Sequence, residues 1–300
     1  MDKIKINFLG TAAQIPTAKR NTSGILITYK NENILVDCGE GIQRQFRKAK
    51  INLGKITRIL LTHKHGDHVF GLSGLLSTLN FSDYRKTLYI YCPKGMKKFL
   101  EDFLKAGKFE ENYSLKIQEV SGKFFETEDF YLEAEKMEHG TPTNAYNFII
   151  KNKLRIDKKK LAKAKIPSGP LLSKIQQGKN VTYEGKKYLA KNLTYVEKGK
   201  KISVVLDTLY NVNISKFVKN ADLLVCESSF SSKNSKEAKE HLHLTAEQAG
   251  KIAKQAKVQK LILTHISQRY EQNIQELLSD AKKQYKNTTI AKDFDSVELD

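Results

Sequence analysis

The run Thr62-His63-Lys64-His65-Gly66-Asp67-His68 carries three imidazoles and a carboxylate within six residues. Zinc takes neutral imidazole nitrogens and carboxylate oxygens converging on one point. His63 and His65 are two apart, so in an extended segment their rings point the same way. Asp67 and His68 follow at once and can turn toward a second point. A lone histidine is usually a satisfied structural or surface group, so His139 and His265 are weak signals taken singly. The cluster changes their weight. Five imidazoles with Asp67 and the later Asp207 can ligate two zinc ions, leaving His243 of His243-Leu244-Thr245 free for proton transfer. Two cations sharing a water lower its pKa toward ~7 and offset a phosphodiester's developing charge. Asp67 can also orient or deprotonate that water. His241 has no motif role and reads as a surface residue.

The elements that must position these groups are short. The cluster directly follows the apolar stretch Ile56–Leu61, a strand end, where functional loops gather. His139 follows a strand-like segment, and His265 follows Leu261-Ile262-Leu263-Thr264. Further strand candidates are Ile4–Leu9, Gly24–Tyr29, Ile34–Val36, Leu88–Tyr91, Phe130–Ala134, Ala145–Ile150, Ile202–Leu206, Leu223–Val225 and Lys260–Leu263. Helical spacing covers Leu72–Leu79, Met96–Lys105, Thr245–Ala256 and Ile274–Tyr285. Thr245 with Gln248 resembles a capping box. Early strands and strand-helix alternation in both halves predict an α/β fold of two packed sheets with helices outside, an αββα sandwich. The 300 residues read as one such domain, 1–300.

Charge interrupts this pattern. The chain carries +19, and residues 151–201 hold sixteen lysines or arginines against Asp157, Glu184 and Glu197, so +13 of the excess falls in about a sixth of the length. A diffuse surface bias does not concentrate in this way, whereas a polyanionic partner calls for it. Within the segment, Ile166-Pro167-Ser168-Gly169-Pro170 is expected to break regular structure. Residues 153–190 are therefore read as a flexible inserted arm. No apolar stretch approaches the ~18 to 20 residues that span a bilayer, so no membrane partner is expected. Met1-Asp2-Lys3-Ile4-Lys5-Ile6 alternates like a strand and is no signal peptide. Cys38, Cys92 and Cys226 form no CxxC pair, which points to a reducing cytoplasm without a disulfide framework.

The ligand run, continued by Gly71-Leu72-Ser73-Gly74-Leu75-Leu76, resembles the metallo-β-lactamase superfamily and, within it, the tRNase Z family of tRNA 3′-end endonucleases. The resemblance covers nearly the whole chain. Pro16-Thr17-Ala18-Lys19-Arg20-Asn21 is similar to that family's Pro-Lys-Arg-Asn loop, and Asp37-Cys38-Gly39-Glu40-Gly41-Ile42-Gln43-Arg44-Gln45 to its first acidic motif. Leu263-Thr264-His265-Ile266-Ser267-Gln268-Arg269-Tyr270 is similar to its closing ligand motif. Pro167-Ser168-Gly169-Pro170-Leu171 looks like the Gly-Pro element of its tRNA-binding arm.

The resemblance implies two zinc ions per subunit. His63, His65 and His139 would hold one, and Asp67, His68 and His265 the other, with Asp207 bridging at the roughly 3.5 to 4 Å of two-metal hydrolases. It implies that His243, paired with Glu227, protonates the departing oxygen, and that Asp37 supports the ligand loop. It also implies precursor tRNA as partner. Lys158, Lys159, Lys160, Gly169 and Pro170 would grip backbone, with Lys19, Arg20 and Asn21 near the acceptor end and Ser228 and Ser229 as further donors there. A homodimer is implied on the same ground alone. The chain departs from the family at Leu206, where Gly is usual, at Ile42, at Cys226-Glu227-Ser228-Ser229, and at Leu244, so bulk near the ligands is expected to shape the pocket.

Two other readings use the same residues. A different hydrolase on this fold, acting on small phosphodiesters, lactones or thioesters, would not need the +13 arm, and deleting 153–190 would separate the two. A non-catalytic RNA-binding relic would not need all seven ligand positions filled, and would bind fewer than two metals.

Overall fold

The computed structural model describes residues 2–106 and 112–300. The chain divides into two compact units, one built from Met1–Phe125, Leu132–Phe148 and Ile202–Asp300, the other from Glu126–Tyr131 and Ile149–Lys201.

Two seven-stranded sheets dominate. One runs, in spatial order, Ser296–Leu299, Ile4–Gly10, Gly24–Tyr29, Glu32–Val36, Arg58–Leu60, Leu88–Cys92 and Leu115–Glu119. The other runs Thr288–Ile290, Lys260–Thr264, Leu223–Glu227, Lys201–Val205, Pro142–Ile150, Phe130–Glu138 and Gly122–Glu126. Each sheet contains a parallel block of four, Glu32 to Glu119 in the first and Lys201 to Ile290 in the second, and in the first the block is joined to antiparallel strands. Parallel strands need both faces covered, and the central ones, such as Leu88–Cys92, Leu223–Glu227 and Lys260–Thr264, are apolar and buried almost throughout.

Alternate residues show which face meets what. Leu26, Leu35 and Ile90 pack with Leu72, Leu75 and Leu79 of the helix Gly71–Phe81. Val205, Leu224 and Leu263 pack with Ala249, Ile252 and Ala253 of Ala246–Ala256. The residues between them, such as Ile25, Ile27, Val204 and Val225, are equally buried. Tyr29 meets Phe148 edge-on at 5.8 Å, and Tyr146 donates a hydrogen bond to the Leu61 carbonyl across the two sheets. The αββα sandwich is therefore present.

Element boundaries differ from the sequence pattern for local reasons. Thr245 is the N-cap rather than the first residue of its helix, and the reciprocal Thr245–Gln248 capping box forms as expected. The strand expected over Ile56–Leu61 is confined to Arg58–Leu60. The helix Ile42–Lys48 has no counterpart in the sequence pattern; it starts after Gly41, whose φ of 70° suits glycine. Leu115–Glu119 and Gly122–Glu126 are further strands without one; each has only two apolar side chains in five residues and none fully buried, too short a signal to stand out.

The second unit has regular structure of its own. Lys153–Ile156 pairs with Thr194–Glu197, and Val181–Tyr183 with Lys186–Tyr188. Helices Lys158–Lys163, Pro170–Gln176 and Ala190–Leu193 close over Ile166, Ile175, Val181 and Leu193. Ile166-Pro167-Ser168-Gly169 interrupts regular structure as expected, separating the helices Lys158–Lys163 and Pro170–Gln176, and Pro170 opens the second because the first helical turn has no use for its missing N–H. Among the described residues, no helix is long and apolar enough to cross a membrane.

Candidate metal centre

Every group singled out by the ligand pattern sits just past the carboxyl end of a strand. Asp37 follows Glu32–Val36, His63 to His68 follow Arg58–Leu60, His139 follows Phe130–Glu138, Asp207 follows Lys201–Val205, and His265 follows Lys260–Thr264. Parallel strands all end on the same edge, so residues far apart in sequence converge there. Asp37, Asp207 and His265 have φ of 59°, 37° and 55°. Non-glycine residues hold such conformations only where the surroundings enforce them, and they cluster at functional sites. The loops are also butted together: a Cβ at Gly71 would lie 1.9 Å from the Gly39 carbonyl oxygen.

The ligand atoms form two groups. His63 Nε2 lies 2.9 Å from His65 Nδ1, which lies 3.3 Å from His139 Nε2. In the second group, Asp67 Oδ2 lies 3.2 Å from His68 Nε2 and 3.4 Å from His265 Nε2. Asp207 faces both: its Oδ2 is 3.8 Å from His63, 3.6 Å from His139 and 3.5 Å from His68, and its Oδ1 is 3.3 Å from His265. His63, His68, His265 and Asp207 are buried, whereas His65 is exposed.

Hydrogen bonds on the far side of four of the five rings, those of His63, His68, His139 and His265, fix which nitrogen is left for a cation. Asp37, wholly buried, accepts from the Thr62 N–H, the Thr62 hydroxyl and His68 Nδ1, the last at 2.6 Å. The Thr62 hydroxyl, having donated to Asp37, accepts from His63 Nδ1 at 3.0 Å. His139 Nδ1 donates to the Leu242 carbonyl, and His265 Nδ1 to the Ser229 hydroxyl at 2.9 Å. Second partners of this kind orient metal-binding imidazoles and fix their tautomers.

Electrostatics favour a cation. Burial, followed by the neighbouring imidazoles, pushes the His63 pKa well below its ordinary value. Burial also lowers His65. Burial would raise Asp67 and Asp207, but the surrounding histidines hold both carboxylates low. Burial would lower His68, yet Asp207, Asp67 and Asp37 together raise it well above its usual range. His68 Nε2 and Asp207 Oδ1 are buried with no hydrogen-bond partner. Buried polar atoms are rarely left so, and both face the second group. The donor set of imidazoles and carboxylates therefore fits divalent cations.

Beside this centre, His243 Nδ1 lies 3.0 Å from Glu227 Oε2. Glu227 also accepts from the Thr208 N–H and the Ser229 hydroxyl, so its carboxylate is fixed. Burial alone would lower His243; the Glu227 charge and hydrogen bond outweigh it and push the pKa up to about 9. The metal groups and His243 open onto a cavity of about 840 Å³, lined also by Gln14, Ile15, Phe70, Phe230 and His241.

Over 293 residues, 98% of this chain and 92% of the relative, the sequence is 36% identical to ribonuclease Z of Nanoarchaeum equitans. The chain belongs to the ribonuclease Z family. Its structure is similar to the short form of human tRNase Z, with TM-score 0.71, 25% identity and 98% of both chains covered. It is also similar to the metallo-β-lactamase fold protein YhfI of Bacillus subtilis, with TM-score 0.73, 20% identity and 100% of both covered. Residues 4–163 belong as well to the family described as Anti-Pycsar protein Apyc1. That match takes in His63 to His139 and ends before Asp207, Glu227, His243 and His265. The ribonuclease Z match spans both halves of the centre.

Other residues expected at a ribonuclease Z site fall differently. Arg20 is turned inward, its Nη1 donating to the Thr11 hydroxyl and the Ala291 carbonyl, so its charge braces the Pro16–Asn21 loop. Asn21 donates to the Glu40 carbonyl at 2.8 Å, and Lys19 is exposed. Lys158, Lys159 and Lys160 open a helix capped by Asp157, and Gly169 precedes the helix begun by Pro170; all lie in the second unit. Leu206 and Leu244, expected to add bulk near the ligands, are buried and do not themselves line the cavity. His241 is a surface residue as expected, but at the cavity rim. Sequence reasoning missed Gln14, whose N–H donates to Asp67 Oδ2 at 2.9 Å; a backbone donor carries no side-chain signal.

Proposed function

We propose that the protein is a zinc-dependent endoribonuclease that cuts precursor tRNA at its 3′ end, leaving a 3′-hydroxyl on the tRNA and a 5′-phosphate on the trailer. The observation that carries this reading is Asp207 facing both ligand groups with the His243–Glu227 pair beside them. His63, His65 and His139 would hold one ion and Asp67, His68 and His265 the other, with Asp207 reaching both. Zinc held by these residues would supply an acidified water and positive charge against the phosphodiester.

The chain's own groups do the rest. Asp67, held as a carboxylate, orients the attacking water and takes its proton. His243, tethered through Nδ1 to Glu227, presents Nε2 to give a proton to the departing 3′ oxygen. Glu227 stays ionised and stabilises the imidazolium that precedes transfer. The second unit, which contains the whole +13 segment, is the arm that grips tRNA backbone, since phosphate contacts position a substrate without reading bases. Lys158, Lys159, Lys160, Gly169 and Pro170 belong to that grip, and Lys19 and Asn21 stand near the acceptor end, with Arg20 holding their loop. The working form is a homodimer in the cytoplasm; three free, buried cysteines fit that reducing compartment.

Comparing hydrolysis of a 3′-extended precursor tRNA, a small phosphodiester and a thioester tests the substrate class. Chelator-sensitive cutting of the tRNA with the highest kcat/KM is expected. Turnover of a small ester with intact tRNA would overturn the proposal.

A further inference from the structure

Phe70 is a ring at the rim of the metal-site cavity that the chemistry above leaves without a task. It is 58% exposed, and it lines the same cavity as His65, Asp67 and His243. Phe81 is more exposed, at 91%, but stands at the far end of the helix Gly71–Phe81 and does not line the cavity.

The Phe70 ring is held in place. It lies over Gly66, where a Cβ would come within 2.2 Å of the ring edge, so the absence of a side chain at 66 makes room for it. It stacks on Phe103 at 6.2 Å with planes 19° apart, and Phe103 stacks on Phe99 at 6.0 Å and 15°. Packing against Gly66 and Phe103 therefore fixes the Phe70 ring while leaving more than half of its surface to solvent. A fixed, exposed aromatic face beside a cationic site is how proteins hold single-stranded nucleic acid, because every base has a π-face to stack on.

Proton transfer fixes which base. The tRNA 3′ oxygen leaves toward His243, so the last tRNA nucleotide sits on the Glu227–His243 side. The phosphate stays with the trailer. Of the two phenylalanine rings that line the cavity, Phe230 is the one beside His243, at 6.0 Å, whereas Phe70 lies over Gly66, next to Asp67. We infer that Phe70 is the stacking platform for the base of the first trailer nucleotide, which holds the scissile phosphate in register. The inference rests on the ribonuclease reading and adds a substrate contact to it.

The test is a double-mutant cycle between protein and substrate. Wild type, Phe70→Leu and Phe70→Trp are assayed on precursor tRNA whose first trailer nucleotide is natural or abasic, with bound zinc and oligomeric state checked for each. On the natural substrate, Phe70→Leu should lower kcat/KM about tenfold, the scale of one base–aromatic stack, and Phe70→Trp should restore it. On the abasic substrate the difference between wild type and Phe70→Leu should vanish. An equal loss on both substrates, no loss on the natural one, or a change of oligomeric state as the only effect would each overturn the inference. Wild type that leaves the natural precursor uncut while hydrolysing a small phosphodiester would mark failure of the ribonuclease reading itself.

Discussion

Glu227 is wholly buried and points its Oε2 at His243 Nδ1 from 3.0 Å. A buried carboxylate needs charged or hydrogen-bonded company, and here His243, Ser229 and the Thr208 N–H provide it. The pair keeps an imidazolium available at neutral pH next to a centre that must take up negative charge.

Replacing His243 by alanine removes the proposed proton donor but no proposed metal ligand. Single-turnover cleavage should slow by ~10²- to 10⁴-fold, the usual contribution of general acid catalysis. Precursor tRNA affinity, read by gel shift, should hold. Unchanged turnover would remove His243 from the mechanism.

The pH profile carries a sign. A general acid acts only while protonated, so with a His243 pKa of about 9 the rate should hold through neutral pH and fall as pH rises through that value. Glu227→Gln takes away the charge that raises the pKa, leaving burial to lower it. The alkaline limb should then move down toward or below ~6.5, the ordinary histidine value. A limb that stays put in the variant would contradict the pairing.

Metal binding competes with a proton on His68, which three carboxylates favour in the absence of metal. Coordination requires the neutral ring, so apparent zinc affinity should drop as pH falls. Competition with a chromogenic chelator from pH 8 to 6 reads this directly. Asp207→Ala, which removes the group facing both ligand sets, should leave fewer than two zinc ions per chain.

The lysines that open the helix Lys158–Lys163 are assigned to tRNA backbone. Converting Lys158, Lys159 and Lys160 to alanine should weaken precursor tRNA binding. It should also flatten the slope of log affinity against log salt by about 0.7 to 0.9 for each phosphate that a lysine no longer neutralises. An unaltered slope would place the arm's grip on tRNA elsewhere.

The centre was legible because its ligands are chemically distinctive and follow apolar strands whose ends the sequence marks. His63, His65, Asp67 and His68 announce themselves by spacing. His139, Asp207 and His265 do not, and only the convergence of strand ends brings them into the same place. The sandwich was legible for a related reason: the central parallel strands, such as Leu88–Cys92, Leu223–Glu227 and Lys260–Thr264, are buried on both faces and read as apolar runs. Leu115–Glu119, at the edge of its sheet, was hidden because it is short and only two of its five residues are apolar. The inward course of Arg20 was not legible. It depends on Thr11 and on Ala291, a partner 271 residues away that no local pattern signals. The break at Ile166-Pro167-Ser168-Gly169 was legible, but the helix that Pro170 opens was not, because a proline that ends one segment and one that opens a helix look alike in sequence.

Mapping both product ends after zinc-loaded protein meets a 3′-extended precursor tRNA tests the central claim most directly. A single cut at the 3′ side of the acceptor stem is expected, with a 3′-hydroxyl on the tRNA and a 5′-phosphate on the trailer, and its loss when a chelator is added. A 3′-phosphate or cyclic phosphate on the tRNA, or cutting that survives full chelation, would contradict water attack at this metal centre with His243 as the proton donor.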